Sequence, residues 1–179
     1  MDTQPLTIYT IGHSNLNADA FVDLLSAHGI AILVDVRSAP YSRYVPDYNR
    51  ERIQARLRAA GIDYHFAGKF LGGRPNDPGC YKAGSPREVD YQVVMAKDWY
   101  QRGIRRLLEI AAGAPTAIMC SEEDPARCHR HHLIAQTLVA MGVEVLHIRH
   151  KKDAPEKALL AGQEPPPAQL SFDLPPGSP

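Results

Sequence analysis

The sequence predicts a single three-layer α/β domain, Rossmann-like, with a mostly parallel sheet, followed by a Pro-rich C-terminal tail. Three observations carry that expectation. Short β-branched or apolar runs alternate with segments of helical period, which implies parallel strands joined by right-handed crossovers and a sheet covered on both faces. A chain of 179 residues holds one domain with a sizeable core and leaves little room for a second. The composition then changes after Lys152: six of the last 15 residues are proline. Residues 1–152 therefore read as the folded domain and 153–179 as a disordered tail.

The elements follow in order. Thr7 to Ile11 is a β-branched run ending in Gly12-His13-Ser14, a first strand and its exit loop. Asn17 offers an N-cap to a helix whose Phe21, Leu24 and Leu25 stripe stops at Gly29. Ile32-Leu33-Val34 running into Asp35-Val36-Arg37 has the apolar character of a strand buried in a parallel sheet. After a Pro- and Tyr-containing loop, Asn49 can cap a helix carrying Ile53 and Leu57, closed by Gly61, and Tyr64-His65-Phe66 is a third strand. Residues 68–88, with Leu71-Gly72-Gly73-Arg74-Pro75-Asn76-Asp77-Pro78-Gly79 at their centre, are loop chemistry. A loop of that length in a compact domain points to a lid, a binding loop or a disordered insertion. Val89 to Ala112 suits one or two helices, with Val93, Val94, Trp99, Ile104, Leu107 and Leu108 inside and Gly103 as a break. Thr116 to Met119 is a buried strand ending at Cys120. Asp124-Pro125 reads as a helix start, a capping residue before proline at the first helical position. Ile134, Leu138 and Met141 form that helix's inner stripe, Gly142 ends it, and Val143 to Ile148 is the last strand.

Composition limits the function classes. Lys+Arg and Asp+Glu balance at 20 each, so wholesale electrostatic attraction to nucleic acid or anionic membrane is not expected, although a local basic patch is compatible. Met1 to Pro5 lacks the basic-then-apolar pattern of a secretory signal, and no apolar run approaches the roughly 18 residues of a membrane span. A soluble, cytoplasmic protein with no membrane partner is the expectation. Three widely spaced cysteines do not form a disulfide framework, which fits a reducing compartment.

In open α/β sheets ligands bind beyond the carboxyl ends of the strands, where strand order reverses. Three such ends carry His13-Ser14, Asp35-Val36-Arg37-Ser38 and Cys120-Ser121-Glu122. Asp35 and Glu122 suit an acid–base pair, with His13 assisting, while Arg37, Arg43 and Arg130 suit bidentate capture of phosphate or carboxylate. Asp35 and Arg37 can equally be a plain salt bridge. Cys120 reads either as a small buried core residue or as a nucleophile. Glu122, Glu123 and Asp124 argue against an anion-binding cysteine loop, since consecutive acids oppose an anion and raise a thiol pKa. Cys120, Cys128, His129, His131 and His132 offer ligands for zinc or another transition metal, without a paired CxxC. The plainer alternative packs Cys128 inward and leaves the histidines solvated or capping. Arg37 to Tyr44 interleaves arginine with tyrosine, a pattern suited to nucleic acid, where rings stack on bases and guanidinium groups hold phosphates. In the tail, residues 169–174 (Gln-Leu-Ser-Phe-Asp-Leu) resemble the short segment with which bacterial repair proteins engage the sliding clamp.

Four separated blocks resemble the domain-of-unknown-function family 488. They are Tyr9-Thr-Ile-Gly-His-Ser14, Val34-Asp-Val-Arg37 with Pro40 and Ser42-Arg43, Leu71-Gly-Gly73, and Cys120-Ser-Glu122 with Cys128-His-Arg130, in order between about residues 6 and 150. The resemblance implies a shared α/β fold and no settled activity. Its motif positions here are His13, Ser14, Asp35, Arg37, Arg43, Gly72, Gly73, Cys120, Glu122, Cys128, His129 and Arg130. The leading expectation is a small enzyme acting on a nucleotide or nucleic acid. Asp35, Glu122, His13 and Cys120 would be catalytic, and Ser14, Arg37, Arg43, Gly72, Gly73 and Arg130 would bind substrate. The competing expectation is a nucleic-acid-associated or partner-binding module, without catalysis, with a structural metal at its Cys/His cluster.

Overall fold

The strand order is β3-β2-β4-β1-β5-β6 in one six-stranded sheet. The strands are β1 (Thr7–Gly12), β2 (Ile32–Asp35), β3 (Asp63–Phe66), β4 (Thr116–Cys120), β5 (Glu144–His147) and β6 (Glu156–Lys157). β1 to β5 are parallel, and β6 pairs antiparallel with β5. This computed structural model describes residues 5–163; the segment at 169–174 lies outside them. Among the described residues no helix is long and apolar enough to cross a membrane.

Helices cover both faces, as the alternating pattern requires. Helix α1 (Ala18–Ala27) starts where the Asn17 side chain accepts from the Asp19 and Ala20 amides. With α2 (Arg50–Ala59) it buries Phe21, Leu25, Ile53 and Leu57 against Ile11, Leu33 and Met119 on one face. The other face receives α3 (Gly68–Leu71), α4 (Tyr91–Met95), α5 (Asp98–Gly113) and α6 (Gln136–Ala140). There Leu71, Tyr100, Ile104, Leu107, Leu133 and Leu138 pack on Ile8, Val34, Ile118 and Val145. Burying a side chain of this size is worth about 1.5–3 kcal/mol, so the two clusters hold the sheet ends rigidly in place. β1 and β2 are thus followed by helices on one face and β4 by a helix on the other. The reversal falls beside β4, and a crevice opens at its carboxyl end.

Three local readings change. Asp124-Pro125 begins only a single 3-10 turn, Pro125–Arg127; its carboxylate accepts from the Ala126 amide at 3.0 Å, and the chain is extended again at Cys128. The helix begins later, as a π-helical segment over Arg130–Ala135 that runs into α6, because a capped Pro turn has the same local chemistry whether or not a helix continues. Gly103 does not break a helix; it lies inside α5, facing Phe70 and Leu71. Met141 is more than half exposed, so the inner stripe stops at Leu138. The ordered sheet also runs past the expected boundary at 152, since Glu156 pairs with His147 and Ala158 is buried.

Candidate functional site at the strand ends

The residues at the strand ends separate into two buried networks, one on each side of the sheet. Register decides this. Asp35 pairs with Met119, whereas Gly12 pairs with Cys120. Side chains alternate along a strand, so Asp35 projects to the α1/α2 face with Met119 and Cys120 projects to the α5/α6 face.

The first network is centred on Asp35, which is fully buried. Its Oδ1 accepts from Arg37 Nε (2.9 Å) and from the Arg37 amide (3.1 Å), and its Oδ2 from Arg37 Nη2 (2.6 Å) and Tyr64 Oη (2.7 Å). Arg37 Nη1 in turn donates to His13 Nε2 at 3.3 Å. The His13 Nδ1–H donates to the Ser14 carbonyl at 2.8 Å, and the ring stacks on Tyr48 with centroids 4.2 Å apart. Burial pulls the His13 pKa down to about 4, so the ring is neutral and can accept from Arg37. Asp35 and Arg37 are therefore the plain salt bridge. Asp35 does not face Glu122 as an acid–base partner, since every oxygen is engaged and its side chain points to the other face.

The second network fixes the loop after β4. Arg130 is fully buried; its Nη1 donates to the Glu122 carbonyl (2.7 Å) and its Nη2 to the Glu123 carbonyl (2.5 Å). The same Nη1 lies 3.6 Å from Cys120 Sγ. Burial lowers the guanidinium to about 10, so it is charged at neutral pH. The Cys120 and Cys128 sulfurs meet across the Pro125–Arg127 turn, with Cα atoms 7.6 Å apart, and Cys80 is buried. No local pattern signals this approach, because only the turn brings the two residues together. His129 Nε2–H donates to the Val36 carbonyl at 3.1 Å and its Nδ1 lies 3.7 Å from Cys128 Sγ. Burial lowers this histidine too, to about 4, against the pull of the Val36 carbonyl.

The acids expected to oppose an anion are mostly occupied. Both Glu123 oxygens bind Arg149, at 2.9 and 3.0 Å, and this pairing holds the carboxyl near 2. Asp124 caps its turn. Only Glu122 of the three faces the crevice with no ion pair among the described residues.

The histidines expected as metal ligands are engaged with protein atoms. His131 Nδ1 meets His147 Nε2 at 3.1 Å, His132 Nε2 bonds the Ala126 carbonyl at 2.6 Å, and His129 is held by Val36. Among the described residues no three His, Cys, Asp or Glu side chains converge as a metal would need.

Between the networks lies a cleft of about 640 Å³, lined by Arg37, Ser38, Gly73, Arg74, Arg87, Cys120, Ser121, Glu122, Arg127 and His129, among others. Of the expected substrate-binding residues, Arg37 and Gly73 reach it. Arg130 is buried beneath it, and Arg43 is exposed elsewhere, its guanidinium 4.9 Å from the Tyr44 ring centre. Ser14 donates its amide to the Ser121 carbonyl at 2.8 Å, tying the two exit loops together. Gly72 packs on Ser38, and a Cβ at Gly73 would come within 2.7 Å of the His129 ring. At both glycines neighbouring protein atoms approach the backbone closely. Three cleft arginines escaped sequence reading: Arg74, Arg87 and Arg127. Each is exposed and makes no ion pair among the described residues. The signal that could have found them is the binding-loop reading of residues 68–88, which supplies Arg74 and Arg87.

The model of Domain of unknown function DUF488 matches residues 17–137. The chain belongs to this family. The matched stretch includes the Asp35–Arg37, Gly72-Gly73 and Cys120–Arg130 blocks of the domain, while the Tyr9–Ser14 block precedes it. Comparison with curated proteins gives no match, and neither does comparison with solved structures.

The buried histidines make stability acid-sensitive. His13 and His129 are lowered to about 4 and His147 to about 3, chiefly by burial. A histidine in the unfolded chain takes up its proton near 6.5, whereas these three do not until well below. Stability is thus fully present above pH 6.5 and is lost as pH falls towards the folded values, by roughly 2 kcal/mol per residue at pH 5. Urea unfolding midpoints should fall steeply between pH 7 and 5. A flat profile contradicts the neutral assignments.

Proposed function

We propose that the chain is a small enzyme acting on a phosphate-bearing substrate, a nucleotide or nucleic acid, held in the cleft beside β4. One observation carries this reading. Arg74, Arg87 and Arg127 come from three segments, line the same cleft, and have no acidic partner among the described residues. Their charges are thus available to a ligand. Glu88, which also lines the cleft, is committed to Lys82. A charge-assisted hydrogen bond to phosphate contributes about 1.5–3 kcal/mol, and guanidinium groups suit the planar, bidentate geometry that phosphate offers.

Glu122 is the carboxylate placed to move a proton at a bound substrate. The buried networks act behind it: Asp35, Tyr64 and His13 fix Arg37 at the cleft wall, and Arg130 fixes the backbone that presents Glu122. His13 and Asp35 are then positioning residues in this mechanism, while Glu122 and the cleft arginines touch substrate. A nucleic-acid strand is favoured over a free nucleotide by Tyr41 and Tyr44, which are 57% and 79% exposed beside Arg43 and can stack on bases.

The test is calorimetric titration with ADP, inorganic pyrophosphate and a short single-stranded oligonucleotide. Changing Arg74, Arg87 and Arg127 together to glutamine should weaken pyrophosphate and ADP binding at least 30-fold and flatten the salt dependence. Glu122→Gln should leave that binding intact. Equal affinities for the triple variant and the native chain refute the proposal.

A further inference from the structure

The floor of the cleft carries a second kind of chemistry, independent of the phosphate reading. Two of the three cysteines face one another there, both nearly buried and both lining the cleft. Their surroundings differ. Cys120 Sγ lies 3.6 Å from Arg130 Nη1, the terminal nitrogen of a fully buried cation that the Glu122 and Glu123 carbonyls hold in place. Arg130 Nε has no partner among the described residues, so part of this cation's donor capacity is left over. Cys128 Sγ instead receives the Arg130 amide at 3.5 Å and lies beside His129 Nδ1 at 3.7 Å. A fixed cation favours negative charge on a nearby sulfur, and the thiolate is the reactive form of cysteine.

We propose that Cys120 and Cys128 are a redox-active dithiol, with Cys120 the attacking thiolate and Cys128 the resolving thiol, and that the oxidant is a hydroperoxide entering the cleft.

The steps balance. In the reduced chain the Cys120 thiolate attacks the terminal peroxide oxygen. An S–O bond forms, the O–O bond breaks, and the leaving alkoxide or hydroxide takes a proton from water. The Cys128 sulfur then attacks the Cys120 sulfur. The S–S bond forms, the S–O bond breaks, and water leaves with the Cys128 proton. Two electrons pass from the thiol pair to the peroxide, and a low-molecular-weight thiol restores the dithiol by disulfide exchange. The Pro125–Arg127 turn and the Arg130 clamp hold the sulfurs face to face, and with Cα atoms 7.6 Å apart the resolving step draws the two backbones slightly closer. Cys80 is an internal control, since it is buried in the core and burial raises its thiol pKa.

The experiment uses the full chain, reduced and freed of reductant, treated with one equivalent of hydrogen peroxide at pH 7. Peptide mass mapping should show the 120–128 disulfide forming at least ten times faster than Cys80 oxidises. Cys128→Ser should trap the first step, giving a dimedone adduct on Cys120. Cys120→Ser should give no such adduct on Cys128. Arg130→Lys should slow oxidation about tenfold; where it does not fold, the two cysteine variants still decide. Oxidation of the pair no faster than that of Cys80, or equal dimedone labelling in the two serine variants, overturns the proposal. Pyrophosphate binding by the reduced native chain is measured in parallel, so failure of the thiol chemistry and failure of the phosphate reading are read separately.

Discussion

Replacing Asp35 with alanine lowers the unfolding free energy by about 3–5 kcal/mol, because it leaves the Arg37 charge buried without its counter-ion. Four donors lose an acceptor at once: the Arg37 amide, Nε and Nη2, and Tyr64 Oη. Arg37 is only 5% exposed and cannot turn out to solvent without giving up its contact with His13. The loss should appear in urea unfolding as a lower midpoint with an unchanged slope. Replacing Arg37 by methionine in the same chain should restore part of the stability, since removing both partners removes the orphaned charge. An Asp35→Ala chain within 1 kcal/mol of the native one contradicts the buried-network assignment.

Gly12→Ala is expected to cost about 4 kcal/mol or more, a loss that few single substitutions reach. A Cβ at Gly12 would lie 1.6 Å from the Glu122 carbonyl oxygen and 2.7 Å from Arg130 Nη1. Neither side can yield cheaply. Gly12 is paired with Cys120 in the β1–β4 ladder, and the Glu122 carbonyl is bonded to Arg130. The added methyl group must therefore push the Cys120–Glu123 backbone off its clamp. Both the thermal midpoint and pyrophosphate binding should fall, the latter because Glu122 and Arg127 move with the loop. Native-like stability in this variant shows that the loop after β4 is not held as described.

Much of the architecture was legible because it rests on local chemistry. Thr7 to Ile11, Ile32 to Val34 and Thr116 to Met119 are apolar runs of strand length, and Asn17 and Gly29 bracket α1. That a cleft opens at the strand ends followed from the alternation of strands and helices. Its internal arrangement did not, because it depends on register. Nothing local tells Asp35 to pair with Met119, yet that pairing sends Asp35 to the face opposite Cys120. The acidic loop misled for a similar reason: Glu123 looks like a free charge until Arg149 closes on it from beyond β5. Arg74, Arg87 and Arg127 lie in segments without periodicity, where an arginine that lines a cleft reads the same as one that is merely solvated. β6 was invisible because two residues, Glu156 and Lys157, carry no strand pattern.

Phosphate binding in the cleft beside β4 can be followed at the backbone amides of the native chain by nuclear magnetic resonance during titration with inorganic pyrophosphate. Saturable shifts are expected, grouped at Ser38, Gly73-Arg74, Arg87 to Val89 and Ser121 to Arg127. Shifts confined to the Tyr41–Tyr44 loop, or no saturable shift at the cleft, contradict it.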